Sequence, residues 1–273
     1  MRTYSHFVGV DLGGGKGKNT GVAQLRAVNE PGEVKVEVVD YGTGKSAPFY
    51  DEHLVDYLRK TPDALLAIDA PLSLPACVRC RESVCPGQSD CEVPIVRWFG
   101  QRDREKLEAI PIGPRKPRYT PYTQRATEVI LHEEHAILPR ETLGQGMGPL
   151  TARATYLLRA LAPTFRLGDN LIEVYPKATL HRLFGEKLAR AYKRSAESPA
   201  ARLEILNSLP ELRFGPGAWK QDALDNDHKF DAILCAYTAY LYSRGACVAP
   251  DERVVADDGW IWIPAAPETR SVR

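Results

Sequence analysis

The chain of 273 residues sets 36 Lys plus Arg against 35 Asp plus Glu, for a net charge of +1, and is 44% hydrophobic and 26% charged. This is ordinary globular chemistry, which excludes disordered and fibrous classes and supports one large α/β core with or without an insertion. There is no global basic field, so a polyanionic partner must be held by a local patch.

The N-terminal MRTYSHFVGVDLGG reaches an Asp and a glycine run after a few apolar residues. That pattern fits neither a signal peptide nor a membrane span, and a cytoplasmic location is expected. Residues 6–12 form a short apolar run, while 20–28 and 33–41 alternate apolar and polar residues with the period of half-exposed strands. The glycines of 13–17 and the Asn29-Glu30-Pro31-Gly32 step are the turns of a three-strand meander. Residues 50–60 place Leu54, Tyr57 and Leu58 at helical spacing, and 64–69, ALLAID, is a fully apolar fourth strand stopped by Pro71. From 75 to about 149, prolines and glycines break the regularity and leave two helices, near 95–109 and 124–138. This stretch is expected to be an insertion within a single domain spanning 1–264. Further on, helices are expected at 151–162, 177–194, 197–208 and 228–243, a strand at 171–175, a closing strand at 259–264 and a polar tail at 265–273.

Isolated carboxylates mark the ends of these apolar segments. Asp11 closes FVGVD, Asp69 closes ALLAID, Glu173 lies within LIEVYP, and Asp227, His228 and Asp231 open DNDHKFDAILCAYTAYLY. A carboxylate in such a run loses hydration on folding and is tolerated only if paired, hydrogen-bonded or bound to a cation. Several meeting in one crevice would make a divalent-metal site. Asp227, His228 and Asp231 fall at i, i+1 and i+4 and share a helical face. Taken singly, these acids have a plainer reading as caps or as helix-start acids favoured by the macrodipole. Their combination in this order favours the metal site.

The succession FVGVDLGGGKGKNTGVAQL, AIDAPLSLP, RATEVIL, LIEVYPKATL, DHKFDAILCAYTAY and DDGWIWIP resembles predicted-nuclease family 429 of the domains of unknown function, over about residues 6–264. That family is a branch of the ribonuclease H-like superfamily. The resemblance implies an α/β fold, with a five-stranded mixed sheet whose second strand is antiparallel and helices on its flanks, to which the residues themselves add a Cys-containing insertion after the fourth strand. It also implies an acidic cluster at the ends of the central strands. By position, Asp11 corresponds to the carboxylate that bridges two metal ions, Asp69 to the second acid and Asp231 to the acid of the last long helix. Glu173 corresponds to a further ligand or a supporting acid, and Asp227 is a further candidate ligand. Asp11, Asp69, Glu173 and Asp231 are therefore the expected catalytic set.

Hard oxygen ligands suit Mg²⁺ or Mn²⁺, and two such ions roughly 3.5–4 Å apart activate water and steady the leaving oxygen in phosphodiester hydrolysis. The expected activity is that of a metal-dependent nuclease, with DNA and RNA both open as partners. A second expectation comes from the sugar kinases and actin-like ATPases of the same superfamily, which hold nucleotide phosphates in a turn between the first two strands. Those proteins are two-lobed, and here one set of strand, hairpin and acid-bearing segments is visible. A non-catalytic nucleic-acid binder is a third reading, although a binder has no reason to keep clustered carboxylates.

The remaining motifs are weaker. LGGGKGKNTG fails the Walker spacing and leads into a strand, so Gly13 to Gly17 read as a hairpin turn, with Lys16 as a candidate phosphate contact. Cys77, Cys80, Cys85 and Cys91 lie within CVRCRESVCPGQSDC and suit a structural Zn²⁺, with an iron–sulfur cluster, redox-active disulfides or free thiols as alternatives. Cys235 and Cys247 read as packing residues. Residues 112–128 interleave Arg115, Lys116, Arg118 and Arg125 with Tyr119 and Tyr122, which equips a single-strand groove but also describes a solvated proline-rich loop. Arg125 and Glu128 match the family's Arg-x-x-Glu and, with Tyr175, Lys177 and His228, are candidate substrate contacts.

Overall fold

The computed structural model describes residues 3–14, 19–27, 50–108, 119–193, 196–209, 211–214, 219–250 and 258–266. The strand expected at 33–41, Lys16, and Arg115 to Arg118 lie outside the described residues, as does most of the C-terminal tail.

Strand β1 (His6–Asp11) forms a hairpin with antiparallel β2 (Gly21–Arg26), and α1 (Asp51–Lys60) leads into β3 (Ala64–Asp69). The stretch after β3 contributes α2 (Ala76–Arg79), α3 (Pro94–Glu108) and α4 (Ala126–His135), after which α5 (Gly148–Leu161) returns the chain to β4 (Leu171–Val174). Then come α6 (Pro176–Ala191), interrupted at Gly185, α7 (Ser198–Asn207), α8 (Trp219–Asp225), α9 (Asp227–Ser243) and β5 (Ile261–Trp262). The sheet order is β2-β1-β3-β4-β5, and every pair except β1–β2 is parallel. The expected α/β fold, a mixed five-stranded sheet with an antiparallel second strand, is present. The two short helices α2 and α8 have no counterpart among the expected elements, and the closing strand is only two residues long. No helix among the described residues is long and apolar enough to cross a membrane.

The apolar run ALLAID follows from burial on both faces. Leu65 and Ala67 join Phe7, Leu25, Ile172 and α9 in one core, while Leu66 and Ile68 join Val8, Val10, Leu54, Leu58 and Leu157 in another. The prolines after β3 conceal a further cluster, in which Val96 and Phe99 of α3 meet Tyr119, Val129, Ile130 and Trp260.

Helix α9 is buried almost continuously from Phe230 to Leu241, as expected of a helix apolar on all sides. It can lie so close to the sheet because the strands present glycine to it. A Cβ on Gly9 would stand 2.0 Å from the Ala232 carbonyl oxygen and 2.3 Å from the Ala236 nitrogen, and one on Gly21 would stand 2.4 Å from the His228 carbonyl oxygen. Both obstacles are backbone, so a side chain could be admitted only by lifting the helix. Gly9→Ala is accordingly expected to cost roughly 3 kcal/mol or more in urea denaturation, at the upper end of overpacking. Gly14→Ala, where a Cβ meets nothing within 4 Å, should stay within about 0.5 kcal/mol of wild type.

Candidate metal centre

Asp11 and Asp69 are the last residues of adjacent parallel strands and stand directly in register. Residues 7, 65 and 67 pack with α9, so strand alternation carries 11 and 69 to that same face. Asp231 descends from α9 onto this point. One carboxylate oxygen from each of the three lies within 4.8 Å of the others, and they are the only such group of potential metal ligands among the described residues. They line a crevice of about 440 Å³ at the C-terminal ends of β1, β3 and β4, where open α/β sheets usually bind ligands.

Burial and mutual repulsion make these acids costly. Asp69 is held well above the ordinary carboxylate range, first by burial and then by Asp11 and Asp231. Asp231, only 1% exposed, is pushed up to about 7 by burial and Asp11, against the opposing pull of Lys193. Two basic side chains meet the cluster. His228 Nδ1 donates to Asp11 Oδ2 at 2.6 Å, and Lys193 Nζ reaches Asp231 Oδ2 at 2.6 Å. The bond to Asp11 raises the His228 imidazole against the opposing effect of burial. The Asn226 side chain caps α9 by accepting from the His228 and Lys229 amides, which orients this first turn.

The other Asp231 oxygen, Oδ1, is buried without a hydrogen-bond partner. A buried carboxylate oxygen left bare in an all-oxygen donor set fits a hard divalent cation held by Asp11, Asp69 and Asp231. Asp227 is outside this group. It is partly exposed, and its Oδ2 lies 4.0 Å from Lys193.

Glu173 does not join the three. It pairs in register with Ile68, one residue short of Asp69, so alternation turns it toward the opposite face. There Arg125 grips it with two hydrogen bonds, Nη1 to Oε2 at 2.7 Å and Nη2 to Oε1 at 2.6 Å, while the Leu72 amide donates to Oε2 at 2.8 Å. Arg125 is 1% exposed, and its remaining donors go to Glu128 Oε1 and Ser73 Oγ. Glu128 is committed too, accepting from the Arg125 amide and from the Thr142 amide and hydroxyl, while burial raises its carboxyl. Arg125, expected as a substrate contact, and Glu173 line the crevice, and Glu128, expected with Arg125, backs it as part of a buried brace. Asp258 extends this brace by accepting from the Ala126 amide and from Arg79.

Tyr175 and Lys177, expected as substrate contacts, do line the crevice. Burial, with the Asp69 charge, pushes the Tyr175 phenol up to about 12. Sequence reasoning missed Arg140 and Lys193, which line the same crevice. Neither stands in a motif, and Lys193 reaches the acids only because α6 ends beside them. The four clustered cysteines are all free, with Cys77, Cys80 and Cys85 exposed and Cys91 partly buried. Burial, followed by Cys91, Cys85 and Cys80, raises the Cys77 thiol, so the sulfurs share a neighbourhood. They do not close into a ligand group of the kind the three aspartates form.

A family model described as "Protein of unknown function (DUF429)" matches residues 9–254. The chain belongs to this family. DUF429 is a member of the ribonuclease H-like superfamily, in agreement with the sheet order and with the sequence resemblance. No curated protein and no solved structure matches the chain.

Two expectations follow for this DUF429 protein. Arg125→Met leaves the Glu173 carboxylate buried without its partner and should cost about 3–5 kcal/mol in chemical denaturation. The acid cluster also sets a pH dependence. With Asp231 raised, the folded chain keeps a proton that the unfolded chain has released, so stability falls as pH rises above the ordinary carboxylate range. The stability contributed by His228 is present below the ordinary imidazole range and is lost as pH rises through its raised value. Both effects have the same sign. The metal-free protein should therefore lose melting temperature between about pH 4 and about pH 8, with a shallower slope in Asp231→Asn. Scanning fluorimetry across this range checks it.

Proposed function

We propose that this protein is a divalent-metal-dependent nuclease that hydrolyses phosphodiester bonds of nucleic acid. The observation that supports this reading is the convergence of Asp11, Asp69 and Asp231 from two strand ends and a helix, with Asp231 Oδ1 buried and unpartnered. Mg²⁺ or Mn²⁺ bound there would activate water and offset charge on the reacting phosphate.

The chain's own residues would do the rest. His228 holds Asp11 in one orientation through a hydrogen bond to Oδ2, leaving the other oxygen to coordinate. Arg140, Lys177 and Lys193 on the crevice wall supply positive charge for a phosphate backbone whose charge the overall composition does not attract. Tyr175 adds a ring beside them. Glu173, in this reading, acts indirectly. Held by Arg125 and the Leu72 amide, it fixes the loop that follows Asp69 and so the direction of that carboxylate.

The nucleotide-phosphate reading fares less well, since the described residues form one sheet and no second lobe. The test is cleavage of labelled single-stranded, duplex and branched DNA and RNA with Mg²⁺ or Mn²⁺. Wild type should cut at least one substrate and stop on chelation, and Asp11→Asn, Asp69→Asn and Asp231→Asn should each lower the rate about a thousandfold or more. Equal rates in wild type and Asp11→Asn would reject the assignment, and tight ATP binding with no cleavage would favour the kinase- and ATPase-like nucleotide-phosphate reading.

A further inference from the structure

Lys193, two residues past the end of α6, holds its ammonium 2.6 Å from Asp231 Oδ2 and 4.0 Å from Asp227 Oδ2. Burial alone would lower its pKa, but the Asp231 carboxylate, its hydrogen bond, and the fields of Asp11 and Asp69 more than reverse this. The ammonium thus pairs directly with Asp231 and feels Asp11 and Asp69 only through their fields. The pair is unequal in exposure: the Asp231 side chain is 1% exposed, whereas that of Lys193 is 47% exposed. The buried acid has nowhere to go. The lysine is a flexible four-carbon stem anchored at the rim, and its ammonium is strongly hydrated once in water.

We propose that Lys193 is a resident counter-ion that occupies the place beside Asp231 until a divalent cation displaces it, and that metal loading thereby frees its ammonium for the phosphate of the substrate. This rests on the metal-centre reading above. The argument is one of charge and valence. Ionising neighbouring carboxylates in a buried setting calls for nearby positive charge, and in the metal-free protein the Lys193 ammonium supplies it beside Asp231. The ammonium satisfies Asp231 only at Oδ2 and leaves Oδ1 bare. A divalent cation brings two charges to the cluster and can take that bare oxygen as a ligand, so exchange is favoured. The freed ammonium stays on the crevice wall, which Arg140 and Lys177 also line.

The consequence is competition, which calorimetry reads without any nucleic acid. Mn²⁺ is titrated into full-length wild type, Lys193→Met, Lys193→Gln, Lys193→Arg and Asp231→Asn, with melting temperatures recorded before and after loading. Lys193→Met and Lys193→Gln should bind Mn²⁺ about tenfold more tightly than wild type, melt at a lower temperature when metal-free, and gain more on loading. Lys193→Arg should stay near wild type, and Asp231→Asn should bind weakly. Binding to Lys193→Met alone, with wild type silent, would also support the exchange. If wild type binds and both neutral variants bind equally or less tightly, the counter-ion role is overturned while the metal centre stands. If neither wild type nor the neutral variants bind, both ideas fall.

Discussion

Helix α9 meets the sheet at backbone distance, and the candidate site depends on that contact. Gly9 and Gly21 remove the side chains that would otherwise keep α9 away from β1 and β2. The helix therefore settles deep enough for His228 to touch Asp11 and for Asp231 to reach the ends of β1 and β3. Two glycines with no chemistry of their own thus set the separation between three carboxylates. Ridge-and-groove packing on larger residues would hold the helix farther out.

The closeness has an electrostatic cost. Buried acids in contact repel one another, and the raised Asp69 and Asp231 carboxyls express that conflict. Such strain persists only where the surrounding structure over-determines it. Here the N-cap at Asn226 fixes the start of α9, and the parallel register fixes Asp11 against Asp69. Lys193 and His228 lower the repulsion without abolishing it. A site in this condition is prepared for a cation.

On the far side of β4, Arg125 ties together parts of the chain that are distant in sequence. Its guanidinium joins Glu173 on β4, Ser73 after β3 and Glu128 at the start of α4, while Asp258 caps that helix from the C-terminal segment. A buried charge pair is weak evidence of added stability, because desolvation offsets much of the attraction. Its geometry is specific, however, and that specificity positions the loop after Asp69. The stretch following β3 is thereby joined to the candidate metal centre through charge as well as through its apolar cluster.

Much of this was legible in the residues. Asp11 and Asp69 stood out because a carboxylate ending a fully apolar strand has no cheap place to go; period-two alternation and unbroken apolar runs marked single strands, while the sheet type was implied by the family resemblance. Asp231 was legible from the resemblance and from its helical spacing to Asp227. The opposite face of Glu173 was not, because LIEV is apolar on both sides and only pairing with Ile68 decides which way the acid points. The pairing of Arg125 with Glu173 was not legible either, because the partner lies 48 residues away. Lys193 carried no signal at all. The sequence by itself determined which residues could be strand ends, helix faces and hydration-starved acids, since these depend on local period and side-chain chemistry. Only the tertiary structure decided which acids share a face, which cation neutralises which carboxylate and which basic residues remain for a substrate, because those depend on register and on the depth of helix docking, which no local pattern encodes.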